Sequence, residues 1–278
     1  KLFEKGEKLN EFGEPKQGLA TGNNQRFLRL WFEVNEEDIG FNYTSIKSFH
    51  KSRLKYAPHN KGGTFRKWYG NYNHLIRFDK KHYKLLSNSG NHLPSKQFYF
   101  KKGITWSDLT SAGFGARYVD NGFVFDTTGP TLFVKDNKNS LYVFGYINSI
   151  VFQTLLDIGC QGFHYSNGVI ADLPILKIKD NEIKIKIEQL VEENINISKR
   201  DWDSFETSWD FKKHPLLTYK NNSETIEEAF NKWSEFAEEQ FYQLKENEEK
   251  LNEIFIEIYG LEDELDPEVK EKDVTVRK

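Results

Sequence analysis

PHNKGGTFRKWYGN, Pro58 to Asn71, sets two adjacent glycines between a lysine and an Arg-Lys-Trp-Tyr cluster. Lys and Arg are poor core material, and Trp and Tyr are poor surface material. Two readings follow. In one, Gly62-Gly63 make a tight turn into a strand whose aromatics face the core. In the other, the turn grips phosphates with Lys61, Arg66 and Lys67 and offers Trp68 or Tyr69 to nucleic acid. In both, a turn interrupts extended chain, and that texture continues on either side.

From Tyr43 to Asn91 the pattern breaks into short strands with turns at Gly62, Gly70 and Gly90. Gln97 to Leu109 reads as strand, turn, and a further strand or helix start. Ala116 to Val134 predicts a hairpin around Asn121-Gly122. SLYVFGYINSIVFQTLLDIG, Ser140 to Gly159, predicts a strand that hands over at Asn148-Ser149 to an amphipathic helix. Ala171 to Lys179 is extended. Upstream, Gly18 to Val34 opens on a Gly/Asn turn and continues as a short helix or a buried strand. Residues 1–17 read as a linker or disordered lead-in.

The texture changes after Asp180. Glu182 to Ser198 is polar and helical, and Lys199 to Phe211 gathers two Trp and two Phe. From Ser223 to Tyr259 the apolar residues recur at steps of three, four and seven, predicting a long amphipathic helix capped by Ser223 and stopped by Gly260. The expected fold is α+β: a mixed, β-rich domain over 18–179, then a long-helix region over 180–278.

The formal net charge of −3 conceals two opposed halves. Residues 1–179 hold 25 Lys+Arg against 15 Asp+Glu, and residues 180–278 hold 14 against 27. Between Ile39 and Val119 there are 15 basic residues and two acidic ones, Asp79 and Asp108, with five of the seven histidines. Such a block is the footprint of a surface that meets polyanions.

Other classes fall away. No apolar run approaches the roughly 20 residues of a membrane span. The one cysteine, Cys160, excludes an internal disulfide and fits a reducing compartment, so the expected location is cytoplasmic. Cys and His spacings match no metal motif, and Asp126-Thr127-Thr128-Gly129 reads as a turn. Asp172 with Glu182-Ile183-Lys184 loosely fits a magnesium nuclease pattern, a minor reading. No [ND]-P-P-[YF] loop and no glycine-rich cofactor loop is present. The absence of an initiator and of any methionine reads as a piece cut from a longer chain.

The order of several blocks is similar to one family. GLATGNNQRFLR (Gly18–Arg29), NKGGTFRKWYGN (Asn60–Asn71), GITWSDL (Gly103–Leu109) and RYVDNGFVFDTTGP (Arg117–Pro130) come first. FGYINSIVFQTLL (Phe144–Leu156), IADLPI (Ile170–Ile175), RDWDSFETSWDF (Arg200–Phe211) and NEEKLNEIFIEIYGLEDEL (Asn247–Leu265) follow. Together, over residues 18–278, they resemble the C-terminal half of PglX-type adenine-specific DNA methyltransferases of phage-exclusion (BREX) systems, relatives of type IIG restriction-modification methylases. The segment NSIVFQTLL…ADLPI also resembles the end of type I specificity-subunit recognition domains. The resemblance implies a target recognition domain at 18–179. Double-stranded DNA would be its partner, with other phage-defence proteins as further candidates. S-adenosylmethionine would be held by a catalytic domain outside this chain, with no cofactor or catalytic residue here.

Candidate contacts follow from residue type. Lys61, Arg66 and Lys67 would hold phosphates, and one of them or Arg77 would read guanine. Asn71, Asn73 and Gln97 are adenine-reading types. Thr21, Asn23, Asn24 and Arg26 would approach phosphates around a flipped base. Trp68 and Tyr69 would pack, stack or wedge. Lys101, Lys102 and Arg117 complete the set. The competing class is a protein-interaction scaffold whose basic block binds an acidic partner.

Overall fold

A computed structural model describes residues 6–160, 164–221 and 223–278. Residues 1–5 of the expected lead-in, 161–163 and 222 lie outside the described residues. The remainder of that lead-in is not a linker. Strand β1 (Glu7–Lys8), the turn of helix α1 (Leu9–Phe12) and β2 (Gly13–Lys16) are built into the fold, because Leu9 and Phe12 are buried in the core and β2 pairs along its length with a later strand.

Helical turn α2 (Asn24–Phe27), β3 (Leu28–Leu30), helix α3 (Ile46–Lys51), β4 (Tyr56–Asn60), β5 (His74–Arg77) and helix α4 (Lys80–Ser87) follow. Then come β6 (Gly103–Thr105), β7 (Arg117–Val119), β8 (Val124–Phe125) and β9 (Thr131–Val134). Two four-stranded sheets result, in the orders β2-β9-β6-β7 and β3-β5-β4-β8, the latter antiparallel except for the parallel β4/β8 edge. Strand alternation makes β9 the divider between them. Leu132 faces one hydrophobic core and Phe133 the other.

The expected hairpin at Asn121-Gly122 does not form. β7 pairs with β6 in the first sheet and β8 with β4 in the second, so the chain crosses between sheets there. The neighbouring Phe100 takes the local backbone partners: its N–H donates to Phe123 O at 2.7 Å, and its carbonyl accepts from Gly122 N–H at 3.2 Å.

Helices α5 (Ser140–Ile147), α6 (Ile150–Gly159) and α7 (Asn167–Asp172) precede β10 (Pro174–Ile175), which pairs with β1. Ser140 to Ile147 is therefore a helix and not the expected strand. Its residues from Tyr142 to Ile147 are all buried, and a fully apolar run carries no period to separate the two. Among the described residues no single helix is long and apolar enough to cross a membrane; the apolar α5–α6 pair is bent by 73° and lies largely in the core.

Helix α8 (Asn181–Asp203) is capped by Asp180, α9 (Pro215–Lys220) is short, and α10 (Ile226–Tyr259) is the long amphipathic helix. Its cap is Thr225, whose hydroxyl accepts from Glu228 N–H, and not Ser223; Gly260 ends it at φ +64°. The first core joins α8 and α10 to α5, α6 and the first sheet, so hydrophobic packing crosses residue 180 without a break. Tyr146 and Tyr259 stack at 5.5 Å, and both hydroxyls donate to Pro174 O.

Candidate nucleic-acid interface

Within Asn60–Asn71, the segment Arg66–Trp68 is pinned to the acidic helices rather than presented to solvent. Arg66 Nη1 donates to Asp201 Oδ2 at 3.1 Å, and its guanidinium lies 5.0 Å from the Trp202 ring. Lys67 Nζ donates to Glu248 Oε2 at 2.7 Å, and its backbone N–H donates to Thr275 Oγ1. Trp68 is 1% exposed, meets Phe144 edge-on, and donates its indole N–H to Glu248 Oε1 at 2.6 Å. Its φ of +68° is uncommon for a bulky residue and is held by main-chain bonds to Ala116 and Tyr118.

Several candidates are thereby corrected. Arg66 and Lys67 have carboxylates where phosphates were expected, because the acidic excess of residues 180–278 folds onto the basic block. Trp68 is core. Asn71 is buried, with its amide donating to Thr64 O, and does not face a groove. Arg117 is buried with Nε and Nη2 unpartnered, and burial lowers its pKa to about 10. Tyr69 packs on Tyr72 beneath Lys199; burial, then Asp203, Asp210 and Asp120, raise its hydroxyl.

Four other candidates do converge. Thr21, Asn23, Asn24 and Lys61 line one notch of about 330 Å³, with Gly22, Asp126, Thr127 and Thr128. The local chain explains the shape. Leu19 N–H donates to Phe125 O, and Thr127 N–H donates to Leu19 O, so the Gly18 turn is laced to the turn after β8. Asn91 braces it from the other side, accepting from Ala20 N–H at 2.8 Å and donating to Gly18 O at 3.0 Å. Gly90 sits so close that a Cβ there would lie 1.7 Å from Ala20 O. Thr21 Oγ1 donates to Asn24 Oδ1, and Asn23 Oδ1 accepts from Arg26 N–H. Gly22 to Arg26 are exposed.

Under the notch lies a buried polar cluster. Asp126 Oδ2 is 3.3 Å from His59 Nε2 and 4.0 Å from Lys61 Nζ, while Asp126 Oδ1 accepts from Thr128 N–H at 2.9 Å. Burial works to raise the Asp126 carboxyl, but the His59 bond and charge, the Thr128 amide and Lys61 together hold it well below the usual carboxylate range. The floor of the notch is thus anionic but paired, and its Lys61 ammonium is a quarter exposed. That arrangement suits a phosphate oxygen reached by one ammonium and neighbouring polar groups.

The remaining candidates lie apart from the notch. Arg77 is half-buried against Asp79 at 3.7 Å. Lys101 and Lys102 are exposed, the former 5.3 Å from the Phe98 ring. Asn73 is half-buried, with its carbonyl accepting from Trp31 N–H, and Gln97 is exposed. The nuclease pattern is otherwise engaged: Asp172 pairs with Lys8, and Lys184 with Asn139 and Glu188. Among the described residues no group of three His, Cys, Asp or Glu is placed to hold a metal ion.

No family model matches the chain. It is 36% identical over 285 residues to the adenine-specific methyltransferase PglX of Lacticaseibacillus casei (strain Zhang), an alignment that takes in 98% of the chain. The chain is a homologue of the PglX-type methyltransferases. It is also 33% identical over 247 residues, 88% of its length, to the adenine-specific methyltransferase BrxX of Escherichia coli O9:H4 (strain HS). It spans only 23% and 19% of these two PglX-type proteins. In fold, it is similar to the type IIL restriction-modification enzyme MmeI, solved in complex with DNA, with a TM-score of 0.54 over 90% of this chain and 33% of that one at 12% identity.

Proposed function

We propose that this chain recognises double-stranded DNA in a sequence-specific manner, as the target-reading part of an adenine-specific DNA methyltransferase acting in phage exclusion or restriction-modification. The observation that carries this reading is the homology to two adenine-specific methyltransferases along nearly the whole chain. The notch formed by the Gly22 turn and Lys61, beside exposed Arg26, supplies the chemistry: cationic and amide groups for phosphate oxygens on a surface that the acidic helices leave uncovered. S-adenosylmethionine and methyl transfer belong, in this reading, to the part of the protein outside the chain. Other phage-defence proteins are proposed as partners of the whole, and the cytoplasm as its location.

The test is a fluorescence-anisotropy titration of the 278-residue chain with duplex DNA, single-stranded DNA and polyglutamate over a salt series. The proposal expects preference for duplex DNA and an affinity that falls steeply with salt. Equal binding to polyglutamate would replace it with the protein-scaffold reading.

A further inference from the structure

Six exposed cations outside the notch lie on α3, on α4 and in the turn after α3. Helix α3 packs on the start of α4: His50 Nε2 lies 2.9 Å from Phe78 O, and the His50 and Tyr83 rings meet edge-on at 5.0 Å. This packing brings Arg53, Lys80 and Lys81 around a concavity of about 340 Å³ walled by His50, Ser52, Leu54 and Asp79. Lys47 and Lys51 stand one turn apart on α3, as do Lys80 and Lys84 on α4. All six of these basic residues are exposed, and among the described residues none is in an ion pair.

The carboxylate in the concavity, Asp79, is already engaged. It caps α4 through the Lys81 and His82 amides, accepts from the His82 ring at 2.7 Å, and faces Arg77. The helical region is the contrast: Lys184, Lys199, Lys245 and Lys250 each stand beside a carboxylate three or four residues away on the same helix. A face kept only for solubility intersperses both signs. Here one sign is concentrated and left without counter-charge.

We infer that the α3–α4 face holds the phosphate backbone of a duplex. The inference rests on the DNA-binding reading above and adds a second contact surface to it. Beyond the C-terminal end of α4, Gly90 and Asn91 brace the notch, while the concavity lies at its N-terminal end. The eight residues of α4 rise about 12 Å, which is on the order of the width of the major groove. A duplex seated in the notch and running along α4 would meet the cationic face. Phosphate contacts of this kind hold register and carry no sequence information themselves.

The experiment compares wild type with Arg53→Ala/Lys80→Ala/Lys81→Ala on random-sequence duplexes over a salt series, with thermal melting to check that the variant is folded. The expected result is a folded variant whose slope of log affinity on log salt is smaller by roughly two to three, at about 0.9 per phosphate contact. A folded variant with the wild-type slope overturns the inference and leaves DNA binding standing. No wild-type binding to any duplex at low salt overturns both. An equal loss on polyglutamate, with no preference for duplex, overturns it in favour of an acidic protein partner.

Discussion

Glu248 accepts two hydrogen bonds from adjacent residues of the basic block, Lys67 Nζ at 2.7 Å on one carboxylate oxygen and Trp68 Nε1 at 2.6 Å on the other. The carboxylate is 3% exposed, so this pairing ties the sheet-built half to α10 in a place that water scarcely reaches.

Glu248→Ala leaves a half-buried ammonium and an indole N–H without their acceptor. Breaking one side of such a pair costs about 3 kcal/mol, which urea unfolding reads as a lower midpoint. Lys67→Ala, in contrast, is expected to leave the salt dependence of DNA binding unchanged, since its charge is already matched inside the protein. A fall in slope of about one would return Lys67 to the phosphate-binding set.

Gly90→Ala tests whether the notch is braced from behind. Gly90 has φ +56°, and its added methyl would overlap Ala20 O. The expected loss of stability is roughly 2 kcal/mol or more, accompanied by weaker DNA binding because the Thr21–Asn24 turn is displaced. Wild-type affinity in a measurably destabilised variant would show that the turn's position does not matter.

Asp126 under the notch and half-buried His74 on β5 set a pH dependence in two windows. Asp126 is lowered in the fold relative to its ordinary 3.8, so its contribution is complete above that value and fades as pH falls below it. Burial, then the positive charges of His59 and Lys61, lower His74 from 6.5, so the unfolded chain takes that proton first. Stability therefore declines as pH drops from 6.5 toward the folded value. His74→Gln is expected to flatten the decline that begins near pH 6.5, and Asp126→Asn the part below about pH 4. Urea midpoints measured across both windows check each sign.

Much of the architecture was legible where pattern and local chemistry agreed. The long helix ending at Gly260 follows from its apolar period, and only its cap lies two residues later than expected, since Ser223 and Thr225 are both capping types. The DTTG turn and the crowding of Thr21, Asn23 and Asn24 at a Gly-rich turn were also readable. What the chain alone hid was long-range. Asn121-Gly122 is a hairpin signal overridden by the competing backbone bonds of Phe100. Arg66 and Lys67 look like free cations in the sequence because their partners, Asp201 and Glu248, lie 135 and 181 residues away. The exposed set on α3 and α4 was inside the basic window but had no motif to single it out. Helical spacing of Lys47 with Lys51 and of Lys80 with Lys84 was the signal available.

The most direct test of the account is the salt dependence of duplex binding by Arg26→Ala/Lys61→Ala measured beside wild type. Wild type is expected to bind, and the variant, still folded, to lose about two units of the slope of log affinity on log salt. An unchanged slope, or no wild-type binding to duplex DNA at low salt, would contradict it.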